Sequence, residues 1–141
     1  MRRLIAGLML LTAFCTPVAL AASAPSPDEM ADALFGKMIK GDSGQAVDEF
    51  FSANPLVLQK AQQMQLLKGQ LGTVMQIYGK PFAYEKISTE DITPSLQRRL
   101  YLTKHEYHPV VWEMYFYKPK DRWLPDQLLF VDQYQVLGPK K

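Results

Sequence analysis

Apolar positions recur with two different periods along this chain, and the change of period divides it. From Ser26 to Tyr78 the spacing is helical; from Phe82 onward it alternates. Ser26-Pro27-Asp28-Glu29 carries a capping residue, a proline suited to the first helical position and a glutamate three residues after the cap. A helix is therefore expected to start there, with Met30, Ala31, Leu34, Met38 and Ile39 on its inner stripe. Gly41-Asp42-Ser43-Gly44 ends it as a turn, since the lysine and strand context of a phosphate loop are missing. A short helix over Gln45 to Phe51 follows, with Ala46, Val47, Phe50 and Phe51 apolar. Asn54-Pro55 then opens a long helix reaching Tyr78, stopped by Gly79 and Pro81. Val57, Ala61, Met64, Leu67, Leu71, Val74, Met75 and Tyr78 line one side, and glutamines fill most of the other. Gly69 and Gly72 lie inside this helix, where each costs about 1 kcal/mol relative to alanine. Close packing of the helix on another surface is the expected compensation.

Four strands follow, over Phe82 to Ile92, Leu96 to Tyr107, Val110 to Tyr117, and Trp123 to Val136. Pro109 marks the turn into the third, Lys118 to Arg122 form a solvated turn, and Pro125 predicts an irregularity in the fourth. The stretch from Tyr107 to Tyr134 holds both tryptophans and much of the aromatic content, so the fold is expected to build around it. Short consecutive connections favour an antiparallel meander, and helices gathered before it cover one of its faces. The fold class is α+β, with Trp112, Met114 and Phe116 turned towards the helices. Tyr101, Tyr107, Tyr115 and Tyr117 are then expected on the outer side, where amphipathic aromatics suit a protein interface.

The first residues differ in kind. Arg2 and Arg3 precede an apolar run from Leu4 to Phe14, and Val18-Ala19-Leu20-Ala21 supplies small residues. This reads as a secretory signal peptide over residues 1–21, cleaved before Ala22, with cleavage after Ala24 as the rival. The apolar run is too short for a membrane span, which needs about 20 residues, so no membrane anchor is expected after cleavage. Cys15 follows Phe14 rather than the small residue that a lipidated cysteine prefers. Residues 22–25 form a flexible linker, 26–138 one domain, and 139–141 a basic tail. Of the 16 basic residues two leave with the leader, so the mature chain balances 14 against 14 acidic ones and holds no cysteine. A neutral exported chain, periplasmic or secreted, speaks against nucleic acid as a partner. Its stability must come from burial alone.

Candidate chemistry is sparse. His105-Glu106-Tyr107-His108 lacks helical ligand spacing, and on a strand its two imidazoles would point to opposite faces, so no metal is expected. There is no Ser-His-Asp pattern and no cofactor motif. Glu113, between Trp112 and Met114, is the one carboxylate in an apolar strand. In a pocket it would have a raised pKa and could act as a general acid or base. On an outer face it would pair with Arg98, Arg99 or Lys104. Tyr84, Tyr115 and Asp132 are the accompanying candidates.

Short and long helices before an antiparallel sheet, and Tyr115-Phe116-Tyr117-Lys118-Pro119 followed by Trp123 and Phe130, resemble the NTF2-like (cystatin-like) superfamily in its small exported bacterial form. The resemblance implies a conical domain with a pocket between long helix and sheet, and dimerisation through the sheet. NTF2-like isomerases and dehydratases use Asp, Tyr and His in such a cone, but none of the residues above maps onto a catalytic position of that family. The expectation is a non-catalytic binding domain for a partner protein, a second copy or a small apolar ligand. A lyase or isomerase using Glu113 or Asp132 with tyrosines, Tyr84 among them, is the alternative.

Overall fold

A computed structural model describes residues 23–131, 133 and 137. The leader with Cys15 and its cleavage site, Asp132, the expected extension of the last strand to Val136 and the basic tail lie outside the described residues. Four helices precede four strands: α1 (Pro27–Lys40), α2 (Ser43–Phe51), α3 (Pro55–Leu58), α4 (Ala61–Tyr78), β1 (Ala83–Thr93), β2 (Leu96–Lys104), β3 (Val110–Tyr117) and β4 (Leu124–Val131). The strands form one antiparallel sheet in the order β1-β2-β3-β4, open and only weakly curled. The α+β arrangement expected from the change of period is the one found.

The helix ends follow from their residues. The Ser26 hydroxyl accepts the Glu29 amide, and the Glu29 carboxylate accepts the Ser26 amide at 2.7 Å, which closes a capping box. Gly41 ends α1 at φ 102° and Gly79 follows α4 at φ 78°, backbone conformations that favour glycine. Asn54 caps α3 by accepting the Leu56 amide, and its side-chain amide donates to the Pro125 carbonyl at 2.8 Å, tying the helical layer to β4.

The expected long helix from Asn54 to Tyr78 is two helices. The chain leaves helical geometry after Leu58 and restarts at Ala61, with Lys60 as the non-helical cap. No proline or glycine forces the break. Asn54 holds α3 to the start of β4, whereas α4 runs on along the same strand. Gly69 and Gly72 differ from expectation too: a methyl group added at either would meet nothing within 4 Å.

The core is aromatic. Phe35 from α1 lies against Tyr84, Tyr101 and Trp112, with ring centroids 4.8, 5.2 and 5.6 Å away. Phe50 from α2 meets Phe116 edge-on at 5.8 Å. Trp112, Met114 and Phe116 are fully buried, so the inner face of β3 is the one the alternation assigned. The Trp112 indole donates to Thr103 Oγ1 at 2.8 Å, which satisfies its polar edge in the interior. Side chains from α1, α2 and the sheet thus meet directly in the interior.

Pairing of β2 with β3 sets one correction. Thr103 faces Val110 and Tyr101 faces Trp112, so Tyr101 belongs to the inner face and is buried. The irregularity expected at Pro125 is present. Phe116 pairs with Pro125 but Tyr115 pairs with Gln127, so Asp126 is an extra residue in β4.

Candidate functional site

Candidate residues are divided between the two faces of the sheet. Glu113 lies on the outer face, across from Leu100 on β2 and Leu129 on β4. Its Oε1 accepts from Arg98 Nε at 2.5 Å and from the Tyr115 hydroxyl at 2.7 Å, and Arg98 also reaches Glu90 at 3.3 Å. Burial pushes the Glu113 carboxyl up, but the hydrogen bonds from Arg98 and Tyr115 and the Arg98 charge prevail and hold it below the usual range. Glu113 is thus an ion-paired carboxylate and not a protonated acid in a pocket. The Tyr115 hydroxyl is raised, chiefly by that same hydrogen bond.

Tyr84 faces the opposite way. Its ring stacks on Phe35 and its hydroxyl donates to Asp32 at 2.7 Å; burial and Asp32 push it up to about 12. Glu113 and Tyr84 therefore cannot share a substrate, and Asp132 lies outside the described residues. The four interface tyrosines are also scattered. Tyr101 is interior, Tyr107 is 82% exposed in the loop after β2, and only Tyr115 and Tyr117 remain on the outer face.

The two histidines are not on a strand. β2 ends at Lys104, and residues 105–109 form a loop that folds over the end of α4. His108 stacks on Tyr78 at 4.8 Å and His105 meets the same ring edge-on at 6.4 Å. His105 does not reach water as a strand end would. It is buried, with Nδ1 2.6 Å from the Gly79 carbonyl and Nε2 3.1 Å from Thr103 Oγ1. Burial lowers its pKa, the Gly79 contact raises it and the His108 charge lowers it, for a net decrease. The neutral ring with Nδ1 protonated satisfies both neighbours. Among the described residues no group of three or more His, Cys, Asp or Glu side chains could hold a metal ion, and no helix is long and apolar enough to cross a membrane.

A second polar cluster joins α1 to the inner face near β1. Asp28 Oδ1 accepts from Arg99, from Lys86 at 3.0 Å and from the Tyr101 hydroxyl at 3.3 Å. Arg99 is 6% exposed, lies over the Phe116 ring, and donates its other terminal nitrogen to Gln97. Its geometry is that of an anchor.

Open apolar space lies elsewhere, along the seam between α4 and β4. One hollow of about 360 Å³ is walled by Phe51, Val57, Met64, Leu67, Leu128 and Leu129, with Lys60, Gln63, Asp126 and Gln127 at its rim. A second of about 520 Å³ is walled by Val74, Val110, Phe130 and Val131, with Gln70, Thr73 and Gln133 around it. Gln63, Leu67, Gln70 and Val74 follow one another on a single face of α4, and residues 126 to 131 are consecutive on β4. The two hollows therefore lie one after the other along the same seam, which is a furrow with two deeper parts. A smaller hollow of about 270 Å³ between α1 and α2 is bordered by the Lys37–Glu49 ion pair.

Sequence reasoning named Met64, Leu67 and Val74 as an inner stripe but not as a furrow wall. It missed the Asp28–Arg99 anchor. No protein-family model matches the chain, and no curated protein or solved structure is significantly similar to it.

Proposed function

We propose that this is an exported, non-catalytic binding domain of NTF2-like type that takes an apolar group of a ligand or partner into the furrow between α4 and β4. The observation that carries this reading is the furrow itself: an apolar channel left uncovered beside an interior that is otherwise filled. Ligand sites are concave, mostly apolar and bordered by a few polar groups, and the amide-rich rim fits that description. The lyase or isomerase alternative has less support, because Glu113 is ion-paired on the face opposite Tyr84. The outer face is also a weaker candidate, since its middle is occupied by the internal network of Arg98, Glu90, Glu113 and Tyr115.

Nile red titration of the mature protein tests the proposal, with Val74→Glu and Glu113→Gln as variants. Saturable fluorescence enhancement that is lost in Val74→Glu and kept in Glu113→Gln is expected, with circular dichroism confirming that both variants fold. Binding that is absent, or indifferent to Val74→Glu, refutes it.

A further inference from the structure

Among the described residues, the furrow runs beside the less guarded edge of the sheet. Within those residues β4 pairs only with β3, and β1 only with β2. The two free edges are built differently. β1 carries Glu85, Lys86, Glu90 and Asp91 and two register irregularities, features that discourage pairing with another strand. β4 from Gln127 to Val131 (Gln-Leu-Leu-Phe-Val) has no charge and no irregularity, and its single charged residue, Asp126, lies back at the bulge. Leu129 on this edge is 48% exposed. An apolar, regular, uncharged edge is a template for one more strand.

We propose, building on the furrow reading above, that the occupant is an extended polypeptide segment of a partner protein. It pairs with β4 through its backbone and lowers alternate apolar side chains towards Leu67 and Val74. The dimensions agree. From Gln63 to Val74 the helix wall runs about 16 Å, and from Gln127 to Val131 the strand runs about 13 Å. That length suits about five extended residues. Strand addition of this kind draws affinity from main-chain hydrogen bonds and selectivity from the pockets under alternate side chains. The rim chooses the chemistry. Lys60 and Asp126 stand at one end, and along the span beside Gln127 to Val131 the rim is Gln63, Gln70, Thr73 and Gln127, neutral donors and acceptors. Over that span the matching segment is therefore uncharged, with alternating valine or leucine and threonine or glutamine. A second copy pairing β4 to β4 about a twofold axis normal to the sheet would bring two α4 helices onto the same side, each beside the other's furrow. A single strand brings no such layer.

The experiment uses a capped decapeptide alternating valine or leucine with threonine or glutamine, and two versions of it N-methylated on alternate amides in the two registers. Binding is followed by fluorescence polarisation and by amide chemical shifts of the mature protein, and its size is measured by light scattering. The parent peptide should shift the amides of Gln127 to Val131. One methylated register should bind about as well as the parent and the other at least about tenfold more weakly. Equal binding by both registers, shifts centred on β1, or a β4-paired dimer dissociated by the peptide overturns the proposal. If Nile red binds and no peptide does, the occupant is wrong and the furrow stands; if neither binds, both readings fall.

Discussion

Replacement of Asp28 by asparagine removes one charge on which three side chains converge, and the structure sets the size of the effect. Arg99 is buried, and its Nε is the one buried side-chain polar atom without a partner among the described residues. Without the carboxylate, the guanidinium keeps only neutral amide oxygens as acceptors, that of Gln97 and that of the new asparagine, and no opposing charge. Breaking a buried pair costs roughly 3–5 kcal/mol. The Asp28 side chain is 49% exposed, so water reaches the pair from one side, and a discounted cost of about 2 kcal/mol follows. The helix start is not at issue, because Ser26 and Glu29 make the capping box. Urea unfolding at pH 7 should show the midpoint falling by about 1 M. The double variant Asp28→Asn/Arg99→Met should recover to within about 1 kcal/mol of the parent, since the buried charge goes with its partner. The pH dependence has a fixed sign. Burial raises the Asp28 pKa, but Lys86 and Arg99 overcome this and leave it lowered. Its contribution is complete above the unfolded carboxyl value of about 4 and disappears as pH falls through the lower folded value. A single variant costing less than about 0.5 kcal/mol, or a double variant no more stable than the single one, would show that Asp28 does not anchor α1.

Two further outcomes are expected from the same kind of measurement. Gly69→Ala and Gly72→Ala should each raise stability by about 0.5–1 kcal/mol, since the added methyl meets nothing and neither residue has positive φ; destabilisation would mean that another surface packs closely there. His105→Gln should cost most at pH 7.5 and progressively less towards pH 5. The folded His105 pKa is lowered, so its stabilisation is complete above the unfolded value of about 6.5 and is lost as pH falls towards the folded one. A gap that stays constant or widens in acid would refute the buried neutral ring.

Much of the fold was legible because it is locally determined. Ser26, Pro27 and Glu29 specify a helix start by themselves, and Pro125 cannot sit unremarked in a regular ladder. The face of Tyr101 was not legible, because strand alternation alone carries no cross-strand register. Thr103 meets Val110 and Tyr101 meets Trp112. Even a strand drawn on to Tyr107 and turned at once into Val110 would set Tyr101 against Phe116, on the same inner face, so the partner across the ladder and not the strand length decides it. The break between Leu58 and Ala61 has no breaker residue to announce it. The furrow was hidden for a related reason. Met64, Leu67 and Val74 form the same periodic stripe whether or not the opposing strand reaches them, so periodicity tells which side faces in and not how completely it is covered.

The single unpaired residue in β4 has a consequence for how this protein can vary. Pro125 and Leu128 are three positions apart, yet both oppose inner-face residues of β3, and only the insertion of Asp126 reconciles them with a two-residue repeat. Excising Asp126 would let Gln127 follow Pro125 directly and leave Pro125, Gln127 and Leu128 opposite Phe116, Tyr115 and Met114 as before; what goes is the local bend, not the register. One residue added or lost between Gln127 and Val131 would instead turn part of that stretch over, which makes the bulge the place in β4 where the strand can shorten by one without reversing its faces.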